Sequence, residues 1–481
     1  MARETWATRV GFILAAVGSA VGLGNIWRFP WMTAENGGGA FLVVYLLVVL
    51  AVGVPGLLGE FVIGRRAKRN PAGALRSLSG SKRWGYVGAL SVVTAVALLS
   101  FYSVVGGWIL RYFAVSVAGL LGSAPYFDAP GAYSRAPYFD APGAYFDAVA
   151  YGPEAAAFHL VFLLSTAALV GGGVRRGIEL GTKVMMPAVV ALLVGLAAWA
   201  GTQPNAAAGY EFFLSFDLAT LRSNFFAVLA PAAGQALFTL SLGAGTMVTY
   251  ASYLGEDRSL AFDGTVIAVC NTAVGVLAGL VVFPLLFSQG IDPGTGGPGA
   301  LFVGIAGAFA RLPGGGMLAV VFFGVVALAA LSSSISMLEI PVAFLVDEFG
   351  LSRRSAVTGL VGVVALTGTV TALVPPAFDV VAGILVDLLL TAGLTAFLLF
   401  TGWVLGREAL VEYRAGAGGL ANALGTPWLL AVGVLIPTFL VFTLLTTVGV
   451  DARVGFWPTA GVAVVLAAIA FLGLRRPESV V

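Results

Sequence analysis

The sequence contains few charged residues, and it has one cysteine and one histidine among 481 residues. Asp, Glu, Lys and Arg together make up 10% of the chain, whereas a water-soluble domain carries about 25%. This shortage excludes a soluble cytosolic enzyme. Cys270 alone cannot form a disulfide framework or a cysteine-based metal site, and His159 alone cannot build a histidine-rich centre. The net charge of +2 argues against nucleic acid as a partner.

Apolar residues are abundant instead and account for 59% of the chain. They form runs of about twenty residues, the length of a helix that crosses a bilayer, whereas strands of a membrane barrel would alternate apolar and polar residues. The sequence therefore predicts an all-α polytopic membrane protein. Twelve transmembrane helices are predicted, at approximately 8–32, 39–63, 84–120, 156–172, 182–201, 222–254, 262–288, 317–348, 354–374, 378–406, 427–448 and 455–474.

The charges in the connections predict the orientation. Arg and Lys are concentrated at 65–83 and 175–183, and Arg475 and Arg476 follow the last apolar run, whereas the connection after the third run is mainly acidic. Short basic loops stay in the cytoplasm. We therefore expect both termini to be cytoplasmic in a multi-pass protein of the plasma (inner) membrane, with the first apolar run retained as a span.

Two connections are unusual. The decapeptide APYFDAPGAY occurs at 124–133 and again at 136–145. A duplication of this kind is tolerated in an external loop, because long surface insertions cost little free energy; a ligand-binding or partner-binding loop is the alternative. The connection 289–316 is rich in Gly and Pro and is long enough to fold over the outer face.

Two of the predicted helices combine glycines with polar side chains. The first contains Gly18, Gly22, Gly24 and Asn25, and the sixth includes the stretch APAAGQALFTLSLGAGTMVTYASY. In hydrocarbon, a broken helix frees peptide groups that must find partners. Freed carbonyls can coordinate a small cation, and the N-terminus of a half-helix can hold a carboxylate. Two such helices at matching positions predict a transporter site, and close packing of small residues is the alternative.

Further oxygen-bearing side chains fall inside other predicted helices, at Tyr102, Asn271 and the serine run 332–334. Oxygen ligands of this kind suit a hard monovalent cation. The absence of a cluster of acidic residues in the sequence makes a divalent metal the weaker alternative. For the serines, hydrogen bonding to their own helix is the alternative interpretation.

Several motifs in these segments are specific to one group of proteins: NIWRFPW at 25–31, ENGGGAF at 35–41, GQALFTLSLGAG at 234–245, TYASY at 249–253 and DEFGLSRR at 347–354. With them the chain resembles the neurotransmitter:sodium symporter family, in its prokaryotic amino-acid-transporting branch. The resemblance covers the first ten helices. It implies two inverted five-helix repeats, 1–201 and 222–406, with helices one and six interrupted, and two peripheral C-terminal helices at 427–474.

The resemblance also implies two sodium sites and no enzymatic centre. In the first, the ligands would be the Ala20 carbonyl, Asn25, Thr239, Asn271 and the carboxylate of the substrate. In the second, they would be the Gly18, Val21 and Ala329 carbonyls with the Ser332 and Ser333 hydroxyls. Chloride is left open, because Tyr45 and Gln235 match a chloride shell whereas Gly275 supplies no carboxylate. The role of Asp387, a carboxylate within the tenth helix, is not assigned.

The implied substrate pocket consists of Ser19, Ala20, Leu23, Gly24, Leu98, Tyr102, Phe238, Thr239, Ser241, Ala244, Ser333 and Met337. Tyr102 would hydrogen-bond the carboxylate of the substrate, and Phe238 would cover the substrate. An Arg28–Asp379 pair would form the outer gate. An Arg3–Asp347 pair, with Trp6 and Tyr253 nearby, would form the inner gate. Ordinary interfacial charges are the alternative for both pairs.

The pocket residues favour an amino acid over an amine. Neutral Ser19 leaves the anionic partner to the substrate, and an α-amino acid carries both charges itself. Uncompensated charge at the membrane midplane is costly. Leu98, Ala244 and the flexible Met337 would suit a bulky hydrophobic or aromatic side chain.

The sequence thus predicts a sodium-coupled symporter that imports a neutral, bulky amino acid by alternating access. Its partners would be the amino acid and the lipid bilayer, and its oligomeric state is open. The sodium gradient would supply the energy, since no nucleotide-binding motif is present. A channel, a transport-silent amino-acid sensor and a sodium-coupled amine transporter are the alternatives. An intramembrane enzyme based on Ser333 or Asp387 lacks an evident base.

Overall fold

The computed structural model describes residues 5–120, 142–215, 218–255, 258–291, 293, 299–312, 314–450, 453 and 455–474. Arg3 and most of the duplicated decapeptides lie outside these residues. Part of the glycine-rich connection after residue 289 is described, and it contains a helix at Ala300–Arg311. The ring of Phe302 in that helix stacks on Phe146, with 5.4 Å between the ring centroids.

Among the described residues, nine helices are long and apolar enough to cross a membrane. They are α3 (Gly39–Ala67), α5 (Lys82–Leu120), α7 (Pro153–Gly171), α8 (Val174–Ala200), α12 (Leu260–Ser288), α14 (Gly315–Phe349), α15 (Arg353–Leu373), α16 (Pro375–Leu405) and α18 (Gly419–Thr447).

The three remaining predicted spans are built differently. A bent pair, α1 (Arg9–Ala20) and α2 (Gly24–Glu35), forms the first, with 46° between its halves. A second pair, α10 (Leu218–Thr239) and α11 (Thr246–Ala251), occupies the sixth position, and α19 (Phe456–Leu474) the twelfth. The expected all-α architecture with interrupted first and sixth helices is confirmed. Its division into repeats 1–201 and 222–406 stays a prediction.

Short helices connect the spans. They are α4 (Pro71–Ser79), α6 (Pro142–Ala150), α9 (Ala206–Leu214), α13 (Ala300–Arg311) and α17 (Arg407–Arg414).

Apolar side chains cover the outside of the helices, and polar side chains lie at the centre. Leu50 and Leu366 are each 70% exposed, whereas Asn25, Asn271 and Ser332 have no exposed surface. A soluble protein shows the reverse distribution. This arrangement fits a protein surrounded by hydrocarbon, in which buried polar groups mark a functional centre.

The interrupted helices lie inside the bundle. The long helices α5 and α14 pack along each other, and α1 contacts α14, α12 and α8. The break after α10 packs against α16 with its main chain, since a Cβ at Gly243 would collide with the Leu390 carbonyl. Gly243 also has a φ of 85°, which favours glycine.

Replacing Gly243 with alanine should destabilise the protein by about 1–3 kcal/mol. The new Cβ would collide with the Leu390 carbonyl, and the alanine would have to adopt a φ of 85°. The measurement is the midpoint of thermal unfolding in detergent. Gly359→Ala is the matched control: no atom lies within 4 Å of its Cβ position, and alanine favours the helix by up to about 1 kcal/mol. Equal midpoints for both variants would contradict the close approach.

Candidate functional site

The break between α1 and α2 frees main-chain carbonyls at the centre of the bundle. Val21 has extended backbone angles, with φ −78° and ψ 104°. The Gly22 N–H donates to Asn25 Oδ1 at 3.2 Å, and the Leu23 N–H donates to Tyr102 Oη at 3.1 Å. In a continuous helix these two amides would bind the carbonyls four residues earlier. The Gly18 and Ser19 carbonyls are therefore available to other partners.

Two hydroxyls and four main-chain oxygens converge beside this break, from Ser332, Ser333, Gly18, Ser19, Val21 and Ala329. Ser332 Oγ lies 2.7 Å from the Gly18 oxygen and 3.3 Å from the Val21 oxygen. Each hydroxyl has one proton to donate, so two protons face four acceptors. This surplus of oxygen atoms suits a cation, and five of the six residues form the predicted second sodium site.

Another oxygen cluster, at the predicted first sodium site and called the first cluster below, joins Asn25, Asn271, Ala20 and Thr239. Asn25 Nδ2 donates to the Asn271 main-chain oxygen at 2.8 Å and to its Oδ1 at 2.9 Å. The Asn271 side-chain amide also lies 3.1 Å from the Ala20 and Thr239 carbonyls. With its oxygen turned to them, three oxygens face one another, which is favourable around a cation. Turned by 180°, the same amide donates to both carbonyls, but its nitrogen then faces Asn25 Nδ2 at 2.9 Å, so Asn25 must turn as well.

The break between α10 and α11 is stabilised by a carboxylate that the sequence analysis missed. Ser241 has a φ of 53°, and the Gly243 N–H donates to Glu60 Oε1 at 2.6 Å. Glu60 has no exposed surface. The only sequence signal for this role is an acidic residue within an apolar helix. Gln235 Nε2 donates to the Gly24 carbonyl at 2.7 Å and so joins the two breaks.

The predicted substrate residues meet between the two breaks. Ser241 Oγ donates to the Ser19 carbonyl at 2.9 Å, and Ser19 Oγ donates to Ser336 Oγ at 2.8 Å. Ser336, one turn after Ser333, was not predicted. A Cβ at Gly24 would lie 2.9 Å from the Phe238 ring, so glycine is needed there. The other members of the predicted set that are buried here include Leu23, Leu98, Tyr102, Ala244 and Met337.

A cavity of about 700 Å³, here called the vestibule, opens beyond Phe238. Its floor includes Phe238 and Phe101, whose ring centroids are 6.5 Å apart. Arg28 lies over the Phe238 ring at 4.8 Å from its centroid. Tyr102, on the other side of this floor, is buried. The vestibule is thus separated from the other predicted substrate residues by the Phe238 ring and the Arg28 guanidinium.

The predicted Arg28–Asp379 pair was wrong. Its Nη2 contacts both oxygens of Asp387, at 3.1 and 2.8 Å, and not Asp379. Both carboxylates belong to α16 and line the vestibule. Arg28 reaches the deeper one because its guanidinium packs down onto Phe238. Asp387, whose role the sequence left open, is therefore part of the floor.

The opposite face, here called the Trp6 face, is closed by the segment before α1. Trp6 Nε1 donates to the Tyr250 carbonyl at 2.9 Å, and the Trp6 N–H donates to the Tyr253 carbonyl at 3.3 Å. Trp6 and Tyr253 therefore come together as expected. Asp347 accepts hydrogen bonds from the N–H of Asn70 at 2.9 Å and from its Nδ2 at 3.2 Å. The predicted Arg3–Asp347 pair lies partly outside the described residues and stays a prediction.

Three further contacts of the Trp6 face were not predicted. The Ala7 N–H donates to Glu179 at 2.8 Å. Arg9 pairs with Asp263 at 2.7 Å. Tyr253 Oη donates to Glu339 at 2.8 Å, and Glu339 in turn pairs with Arg353. No motif joins the partners of these three contacts in the sequence, because they are 172, 254 and 86 residues apart.

Comparisons with known proteins agree with this geometry. The model of the sodium:neurotransmitter symporter family matches residues 3–124 and 152–400. An uncharacterized sodium-dependent transporter of Bacillus subtilis, YhdH, is 34% identical over 92% of this chain and 98% of its own length. A sodium-dependent neutral amino acid transporter of Homo sapiens is 30% identical over 59% of this chain and 41% of its own.

A solved structure is also similar. The crystal structure of MhsT in complex with L-phenylalanine matches with a TM-score of 0.80 and 34% sequence identity, over 93% of this chain and 100% of that one. The similarity therefore extends over most of the helical bundle.

Replacing Trp6 with leucine should loosen the Trp6 face by roughly 2 kcal/mol, because a buried hydrogen bond and three aromatic contacts are lost. Amide hydrogen exchange in residues 5–12 should then become about 30-fold faster. Trp457→Leu is the control, since Trp457 is 77% exposed and far along the chain. Unchanged protection of residues 5–12 in the Trp6 variant would contradict the assigned seal.

Proposed function

Since the chain belongs to the sodium:neurotransmitter symporter family and is a sodium-dependent transporter, we propose that it couples the uptake of a neutral amino acid with a bulky apolar side chain to two sodium ions. Uptake would proceed by alternating access. The proteins that resemble it include one named as a neutral amino acid transporter and one solved with L-phenylalanine.

The observation that carries this proposal is the pair of oxygen clusters on either side of the α1–α2 break. The second cluster, around Ser332, would bind one ion between α1 and α14. The first, around Asn271, would bind another between α2, α10 and α12. Both clusters are built from neutral oxygens, which suit a monovalent ion. No group of three or more acidic, histidine or cysteine residues suited to a metal occurs in the described part of the chain.

The substrate carboxylate has a place beside the first cluster. Tyr102 Oη lies at the start of α2, where it accepts from the Leu23 N–H and also contacts Ser333; its proton would be donated to the carboxylate. The N-terminus of a half-helix attracts a negative charge. Segment 18–25, GSAVGLGN, contains no carboxylate. There is no room for a side chain at Gly22 either, since its Cβ would collide with Ser333 Oγ. An amine without a carboxylate would therefore lack its counter-charge here.

Shared coordination would couple the ion to the amino acid. A carboxylate next to the first cluster adds a negative ligand to a site that is otherwise neutral. The ion and the amino acid then increase each other's affinity by the same factor. The side chain of the amino acid would lie towards Leu98, Ala244 and Met337, which offer apolar surface without a charge.

Alternating access is supported by the difference between the two faces. The vestibule is hollow, whereas the Trp6 face is closed by the segment 5–9. The basic connections predict that the Trp6 face is cytoplasmic, with both termini on that side of the plasma (inner) membrane. Chloride has no part in the proposal. Tyr45 Oη lies 3.3 Å from Thr239 Oγ1, and replacement of chloride by gluconate in an uptake assay tests whether an anion is needed.

Ser332→Ala should raise the sodium concentration for half-maximal binding about tenfold or more, because a ligand of the second cluster is lost, and each tenfold corresponds to about 1.4 kcal/mol. Sodium-dependent thermal stabilisation, with potassium as the reference ion, is the measurement. Ser334→Ala is the matched control. Its hydroxyl faces Thr166 at 2.7 Å and not the break. Equal sodium dependence of the two variants would contradict the second site.

Sodium-dependent uptake of a labelled amino acid into proteoliposomes should be inhibited by phenylalanine. It should not be inhibited by phenylethylamine, which lacks the carboxylate, or by 3-phenylpropionate, which lacks the amine. The apparent affinity of each analogue should be lower than that of phenylalanine by about 100-fold or more, because a bound charge would be left without its partner. Glycine and alanine should compete less well than phenylalanine and leucine. Equal inhibition by phenylethylamine would contradict the amino-acid assignment, and binding without uptake would indicate a sensor.

A further inference from the structure

Three serine hydroxyls from different parts of the chain meet beside the predicted substrate residues, and together they are here called the hydroxyl cluster. They belong to Ser19 in α1, Ser241 after α10 and Ser336 in α14. Ser19 Oγ donates to Ser336 Oγ at 2.8 Å and lies 3.3 Å from Ser241 Oγ. Ser241 Oγ donates to the Ser19 carbonyl at 2.9 Å. Serines within helices often bond only to their own main chain, so contacts between separate helices need an explanation.

The hydroxyl cluster has no proton left to give. The Ser336 proton goes to the Ser333 carbonyl at 2.7 Å, the Ser19 proton to Ser336, and the Ser241 proton to the Ser19 carbonyl. A hydroxyl carries one proton and two lone pairs. Within the described part of the chain, no N–H or O–H group donates to Ser19 Oγ, although this residue is only 1% exposed. The cluster can therefore accept hydrogen bonds from a ligand but cannot donate one.

The hydroxyl cluster lies deeper than the place proposed for the carboxylate. That place is at Tyr102 and Ser333, which approach each other around Gly22, since a Cβ there would collide with both hydroxyl oxygens. Ser336 follows Ser333 by three residues, a rise of about 4.5 Å along α14. It precedes Met337, one of the residues towards which the side chain of the amino acid would lie. The hydroxyls thus border the side-chain end of the proposed site.

We propose that the hydroxyl cluster selects, among bulky neutral amino acids, those whose side chain carries an N–H or O–H donor. Ser19 and Ser241 would accept from that donor. Ser336 would be a positioning residue, because it takes the Ser19 proton and leaves the Ser19 lone pairs to the ligand. An indole ring has one donor and no acceptor, which matches a site without free protons. The inference rests on the proposed function and narrows its substrate class.

The ammonium group of the amino acid is the competing donor for these oxygens, and the two assignments differ in one measurable respect. If the cluster bound the ammonium group, loss of the Ser19 hydroxyl would weaken the binding of all amino acids by the same factor. If it binds the side chain, only amino acids with a side-chain donor bind less tightly. The ratio of two affinities therefore separates the assignments, and a general structural defect leaves that ratio unchanged.

The test compares tryptophan with 3-(3-benzothienyl)alanine, in which sulfur replaces the indole N–H within a bicyclic ring of similar shape. Both ligands carry the same two charges. Binding is measured from the dependence of the thermal midpoint on ligand concentration, in sodium-containing detergent solution, and so needs no transport. Tryptophan should bind at least about fivefold more tightly, because its N–H finds an acceptor that the sulfur analogue leaves unpaired.

Three variants locate this preference for tryptophan. Ser19→Ala should reduce it about fivefold, because the accepting oxygen is lost. Ser336→Ala should reduce it by a similar factor, because the Ser19 proton then lacks its acceptor and turns towards the ligand. Ser334→Ala is the matched control, since its hydroxyl faces Thr166, and it should keep the preference within about twofold of the parent.

Equal affinity of the parent for both ligands would overturn the inference. So would a Ser19→Ala variant that binds both ligands more weakly but keeps the preference, which assigns the cluster to the ammonium group. If neither ligand nor phenylalanine binds, the proposed function fails and the inference fails with it. If tryptophan is preferred but is not taken up into proteoliposomes, the proposed uptake fails while the hydroxyl cluster keeps its role.

Discussion

Every feature of the site depends on one constraint: a peptide group in the middle of a membrane protein must have a polar partner. The break after Ala20 leaves the Gly18 and Ser19 carbonyls without their helical amides, since the Gly22 and Leu23 N–H groups bind Asn25 and Tyr102. The serines of α14 supply partners, but with fewer protons than there are carbonyls. Under the proposed function, this shortage of donors would make the helix break a place for a cation, without any acidic side chain.

The second break obeys the same constraint in a different way. Glu60 supplies an acceptor for the Gly243 amide, where the first break supplies hydroxyl donors for its carbonyls. Gln235 connects the two by its hydrogen bond to the Gly24 carbonyl. A displacement of α10 therefore acts on the start of α2, where Asn25 contacts Asn271. Binding at the first oxygen cluster and movement of Phe238, one residue before the end of α10, are therefore linked through these contacts.

The twelve helices and both interruptions could be predicted from the sequence, because apolar runs and polar residues within them are local signals. The residues of both oxygen clusters also come together where the family resemblance placed them, although their roles as ligands stay predictions. The partner of Arg28 could not be predicted. Asp379 and Asp387 are eight residues apart on one helix. Which of them Arg28 contacts depends on the π-helical turn between them and on the packing of Arg28 on Phe238. The role of Glu60 could not be predicted for a related reason, because its partner Gly243 is distant in the sequence.

The two faces of the site are closed by unequal numbers of contacts. On the Trp6 face, the segment 5–9 is joined to α11 through Trp6, to α8 through Ala7 and to α12 through Arg9. On the vestibule face, one ion pair lies over one ring. With about 1 kcal/mol for each hydrogen bond, the Trp6 face is the more costly one to open. An ion in the second cluster would add to this cost by tying the Gly18 and Val21 carbonyls of the first span to α14. In the proposed mechanism, opening of the Trp6 face would therefore follow the loss of that ion, which gives a physical reason for sodium to set the order of the two openings.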